Sequence, residues 1–125
     1  LAMSSDLHHL PFRQEIQPLT MSPYAQSTSL TAPHGLGLAP VIVHWYLENL
    51  VAAAGYVPGD RVYSLNDDAT TQRGFSTFAD AVVFCVATSG QNPRISDRTN
   101  GNVTTITTTD WKLVVIASRL NLESS

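Results

Sequence analysis

Four histidines, a single cysteine and ten carboxylates are the residues of this chain whose types could do chemistry, and their spacing decides which chemistry is open to them. His34, together with one of Asp60, Asp67 or Asp80, could serve as the general base of a hydrolase. Such a base must be within hydrogen-bond reach of a nucleophile and be oriented by a third group. No such triad is visible in the order of residues, and a histidine directly before Gly35-Leu36-Gly37 is placed to bond the backbone of its own turn. His8 and His9 could chelate a metal with Asp6, yet adjacent side chains on an extended chain point opposite ways, and structural zinc takes four ligands at recognisable spacing. Asn66-Asp67-Asp68 offers oxygen ligands for calcium but lacks the alternating carboxylates, glycine and final glutamate of a calcium-binding helix-loop-helix. Cys85 stands between Phe84 and Val86, where a thiol acts as a small hydrophobe and has no base to activate it. The expectation is a chain with no catalytic, metal or cofactor residues.

The aromatic residues make a second set. Trp45, Tyr46, Tyr56, Tyr63 and Trp111 could form a platform for sugars, because flat rings suit the apolar faces of pyranoses. Trp45 and Trp111 sit within apolar runs and are expected in the core, which leaves Tyr56 and Tyr63, beside turns, as the candidate ligand surface, with loops 66–74 and 88–94 near them. Asn102-Val103-Thr104 matches a glycosylation sequon, which matters only on a eukaryotic secretory route.

Composition narrows the function classes. The 125 residues make one domain, with 43% hydrophobic and only 14% charged residues, well under the roughly 25% charged that is usual. Polar surface must come from Thr, Ser, Asn and Gln, a balance that suits pleated sheets and surfaces that meet other protein. A net charge of −3, with no basic cluster beyond Arg94 and Arg98, argues against nucleic acid. One cysteine excludes an internal disulfide, and no apolar run approaches the roughly 20 residues of a helical membrane span. The N-terminus lacks a basic segment followed by an apolar one, and a chain that begins at Leu1 is expected to be a processed or excised piece of something longer.

The elements that must position these residues read as strands. Five of the seven prolines, at 11, 18, 23, 33 and 40, fall in the first 40 residues, which disfavours long helix and predicts an extended arm over 1–25, with short edge strands at 15–21 and 26–31. A turn at His34, Gly35, Gly37 and Pro40 leads into a strand over 41–47, with Val43 and Trp45 on one face and Ile42, His44, Tyr46 and Glu48 on the other. Helical spacing at Leu47, Leu50, Val51 and Ala54 predicts a short helical turn ended by Gly55. The segment from Gly55 to Gly59 and Asp60 is a further turn, followed by a short strand over 61–65. Runs at 81–87, with Phe84 and Cys85, and at 111–117, with Trp111, Leu113 and Val115, are apolar on both faces and need cover on both, from a second sheet and from the arm or another subunit. Asn100-Gly101 between strand-like runs predicts a two-residue hairpin turn with positive φ at both positions. The sum is an all-β chain, an antiparallel β-sandwich, jelly-roll-like or immunoglobulin-like, over 26–125.

The order His34-Gly-Leu-Gly-x-x-Pro40, Gly55-Tyr-x-x-Gly-Asp60-x-Val62, a valine-rich strand at 78–87 and Trp111-Lys-Leu-Val-Val resembles a β-rich module that recurs in tailed-phage virion proteins, at tail-fibre ends and on fibre, spike and capsid-decoration proteins. It spans roughly residues 26–118. The resemblance implies a virion structural component without catalysis, homotrimeric, made in the host cytoplasm, contacting other virion proteins through its N-terminal arm. At a fibre tip it implies instead a module for a host receptor or surface glycan.

Overall fold

The computed structural model describes residues 13–15, 18–36, 42–66 and 73–120. Among them there is no α-helix, and ten strands, paired antiparallel, make an all-β sandwich. Sheet A is five-stranded: β1 (Arg13–Glu15), β10 (Trp111–Leu120), β4 (Ile42–Asn49) and β5 (Arg61–Val62) lie in that order, and β2 (Leu19–Met21) also pairs with β10. Sheet B is β3 (Ser29–Pro33), β7 (Val83–Thr88) and β6 (Phe75–Ala79), and β8 (Arg94–Ser96) with β9 (Val103–Thr105) form a separate hairpin.

Register assigns every side chain to a face, because cross-strand partners share a side. In sheet A, Leu113 pairs with Leu47 and with Met21, Val115 with Trp45, and Ala117 with Val43, all turned inward. In sheet B, Phe84 pairs with Ala32 and Val86 with Leu30, also inward. One apolar cluster joins the two sheets and is closed at its ends by Tyr24, Val62, Ile95, Ile106 and Trp111. Trp45 and Phe75 meet edge to face across the gap, with ring centroids 4.7 Å apart.

The strand that includes 111–117 is the longest, and on its outward side Val114 is only 3% exposed while Lys112 and Ile116 are half-buried. Of the two sources of cover expected for this strand, the arm or another subunit, the chain's own N-terminal segment supplies a pairing strand, β2, at Leu113, Val114 and Val115. The run over 81–87 differs, since Ala81 and Val82 belong to the tight turn between β6 and β7, and the outward residues Val83, Cys85 and Ala87 are only half-buried.

Three local expectations are revised. No helical turn follows β4. Ala53 and Tyr56 exchange both backbone hydrogen bonds, at 3.1 and 2.8 Å, around Ala54 and Gly55, whose φ values are 53° and 82°. Helical spacing misled because the four residues belong to a strand end and a two-residue hairpin, where Leu47 is buried and Val51 is exposed. The hairpin at Asn100-Gly101 exists, but its loop runs from Asp97 to Asn102, and only Gly101 has positive φ, 78°. The Asp97 carboxylate accepts from the backbone N–H of Thr99 and Asn100 at 2.8 and 3.3 Å, which shapes the loop ahead of Gly101. Finally, the segment assigned to an arm over 1–25 contributes to the fold: β1 and β2 pair with β10, and Met21 and Tyr24 are buried in the core. The sandwich thus begins before residue 26.

Candidate functional site

His34 is built into the sandwich wall. It is 2% exposed, its Nδ1 accepts from the backbone N–H of Leu36 at 3.0 Å, and its Nε2 donates to the carbonyl of Asp80 at 2.7 Å. Both ring nitrogens are thereby spent on backbone, with Gly35 between them in a left-handed conformation. Asp80 uses its Oδ1 on the N–H groups of Val82 and Val83, 2.8 Å each, and these bonds, that from Val83 first, hold its carboxyl below the ordinary carboxylate range, with His34 adding to the effect. The pair that could have been an acid and base instead fastens one turn to another.

Asp60 is a bracket of the same kind. Its Oδ2 accepts from the N–H of Val57 at 3.0 Å and from Arg98 Nη1 at 2.9 Å, tying the Pro58-Gly59 turn to the β8–β9 loop. Asp67, Asp68, Gly37, Pro40, His8, His9 and Asp6 lie outside the described residues. Among the described residues no three His, Cys, Asp or Glu side chains are grouped as a metal site.

The two tyrosines expected at the surface part company. Tyr56 is half-buried, its hydroxyl donates to the carbonyl of Ser96 at 2.7 Å, and its ring stands edge-on to Trp111 at 5.4 Å. It is a core residue, and its candidacy as a ligand surface is withdrawn. Tyr63 is 66% exposed and lies 6.1 Å from the ring of Tyr46. Trp45 lines the core, and Trp111 is fully buried.

No family model, curated protein or solved structure matches the chain. Function must be argued from its two outward sheet faces.

The outward face of sheet B is formed by Ser29, Thr31 and Pro33 on β3, Val83, Cys85 and Ala87 on β7, and Ser76 and Phe78 on β6. None of these residues is charged. Phe78, opposite Cys85, is 52% exposed, and Val82 in the adjoining turn is more exposed still. Cys85 Sγ accepts from the Thr31 hydroxyl at 3.4 Å and is half-buried, not sealed in the core as its neighbours suggested. Alternation explains the error: Phe84 and Val86 point inward, so Cys85 between them must point out.

One end of the outward face of sheet A, by contrast, carries charge. Glu48, Arg61 and Lys112 stand side by side on β4, β5 and β10, with Tyr46 next to them. The sequence reading placed Tyr46 and Glu48 on one strand face but did not bring Arg61 and Lys112 to them, because that requires the order of strands in the sheet.

Proposed function

We propose that the protein is a non-catalytic assembly module that associates with copies of itself through the outward face of sheet B, as a virion structural component of the fibre, spike or capsid-decoration type. One observation carries this reading: a sheet face with no charged residue, in a chain whose histidine and aspartates near the turns are spent on structure. An uncharged face meets a second copy without like-charge repulsion, and interface cores are depleted of charge in this way. Sheet B has two outer strands, β3, which carries Pro33, and β6, Phe75-Ser-Thr-Phe-Ala79, which carries neither the charge nor the proline by which free edges are usually blunted.

Three strands of five or six residues present a face of roughly 250 Å², small against the roughly 800 Å² per partner of a stable pairwise interface. A homotrimer, in which each copy meets two neighbours, makes fuller use of such a face and of the edge beside it. The order of turns around His34, Gly55-Asp60 and Trp111, which resembles that of the tailed-phage module, is what favours the virion setting.

Light scattering of the purified chain tests the reading. A particle of three 13.5 kDa chains is the expected result. A monomer at tens of micromolar would sink it.

A further inference from the structure

We propose that the outward face of sheet A, at Tyr46, Glu48, Arg61, Tyr63 and Lys112, is a binding site for an acidic saccharide, a sugar that carries a carboxylate. The centre of the site is a guanidinium held in a fixed plane. The Arg61 Cζ lies 4.1 Å from the centroid of the Tyr46 ring beneath it, and its Nε donates to Glu48 Oε1 at 3.2 Å. Stacking and the Nε bond together fix the orientation that a flexible arginine would otherwise lose entropy to adopt. The side chain is still 47% exposed, and its guanidinium also bonds the side chain of Tyr63, so the donors left over by Glu48 and Tyr63 are the ones that can take a ligand carboxylate, beside the ring it would stack on.

Charge at the site has the sign such a ligand needs. Lys112 Nζ is 3.5 Å from Glu48 Oε2, so one carboxylate is shared by two cations and the cluster carries an excess positive charge in a chain of net charge −3. Next to the fork stands the ring of Tyr63, tilted 60° from that of Tyr46 and open to solvent. An exposed aromatic ring beside a cation offers the apolar C–H side of a pyranose a place to stack while the sugar's carboxylate reaches Arg61.

Other anionic partners fit less well. An acidic peptide adding to the sheet would need a run of free backbone, and β5 is only two residues long. Nucleic acid would need a broad basic surface, which a chain with seven Lys and Arg against ten Asp and Glu does not offer.

The test is an NMR titration of the intact chain with sialyllactose, with trigalacturonate and with neutral lactose. We expect either acidic sugar to shift the resonances of Arg61, Tyr63 and their strand neighbours, with lactose weaker by at least about tenfold. Tyr63→Ala should weaken the acidic sugar on the order of tenfold. Arg61→Lys, which keeps the charge and loses the fork, should do so as well. A circular-dichroism melt confirms that each variant is folded. Equal binding of lactose, shifts confined to another part of the surface, silence with both acidic sugars, or an undiminished Tyr63→Ala variant would each overturn the proposal. The wild-type titration decides the matter even if a variant fails to fold. The site lies on the sheet opposite the proposed assembly face, so its failure leaves the oligomer reading intact, and a monomer that binds sugar would refute only the latter.

Discussion

Trp45 on β4 and Phe75 on β6 meet edge to face, 4.7 Å between ring centroids at 83°, and this contact joins sheet A to sheet B at an outer strand of the smaller sheet. Tyr24 tilts against the same Phe75 at 6.1 Å, so one half-buried ring is the meeting point of both sheets and the segment between β2 and β3. Phe75→Ala removes it and leaves a cavity that neither sheet can close. The expected loss is about 2–4 kcal/mol, read as a lower urea midpoint, since the ring is not wholly buried. A change under about 0.5 kcal/mol would show that the sheets are held together elsewhere.

Gly55 is a glycine whose replacement should be costly. Its φ is 82°, and an added Cβ would come within 2.5 Å of the Thr99 hydroxyl and 3.2 Å of the Thr99 amide. Gly101, with φ 78°, has open space where its Cβ would go. Both Ala variants suffer the left-handed backbone, about 1 kcal/mol. Gly55→Ala must in addition push the β8–β9 loop away and should lose roughly another 1–2 kcal/mol. Equal melting temperatures for the two variants would contradict the close approach.

How much of this was legible in the sequence depends on range. The β-branched runs at 41–47, 81–87 and 111–117 pointed to the strands that lie at 42–49, 83–88 and 111–120, and to Phe84, Leu113, Val115 and Trp111 as core or interface positions, all four of them buried. What failed were features set by distant residues. Tyr56 looks like a turn tyrosine until the carbonyl of Ser96, forty positions away, takes its hydroxyl. The cluster of Glu48, Arg61 and Lys112 was out of reach for the same reason, because Arg61 lies 13 positions and Lys112 64 positions from Glu48, and only the order β10-β4-β5 makes them neighbours.

Alkaline pH should unfold this protein through Tyr24. Burial pushes its hydroxyl up to about 12, and the group donates to the carbonyl of Gly74 at 3.3 Å. The folded value lies above the unfolded value near 10, so the unfolded chain ionises first. Stability from this group is complete below about pH 10 and falls as pH rises from there toward about 12. Tyr24→Phe cannot ionise and should flatten that part of the curve of urea midpoint against pH. An identical alkaline decline in the variant would assign the effect to other groups.

Removing residues 1–25 should unfold the domain. The deletion takes β2, which pairs with β10 at Leu113, Val114 and Val115, together with the buried Met21 and Tyr24, whose backbone N–H also donates to the carbonyl of Trp111 at 2.8 Å. Two large core side chains at roughly 2–4 kcal/mol each approach the whole stability of a small domain. The truncated chain is expected to lose its cooperative thermal transition. A sharp, native-like melt would show that 26–125 is self-sufficient after all.

Assembly, finally, should yield to one charge placed on the outward face of sheet B. Phe78 projects from β6 opposite Cys85 and is more than half exposed in the single chain, so Phe78→Asp forfeits little of the monomer's own core. In an assembly built on this face the carboxylate would be buried among Thr31, Val83 and Cys85 without a cation, at a cost of several kcal/mol per subunit. Its threefold repetition adds like-charge repulsion. Light scattering should therefore report a single chain for the variant, with a thermal midpoint no lower than that of the wild-type protein diluted to its monomer. Mutation of Tyr63 on the other sheet should leave the particle mass unchanged. If Phe78→Asp still associates as the wild type does, sheet B is not the surface through which copies meet.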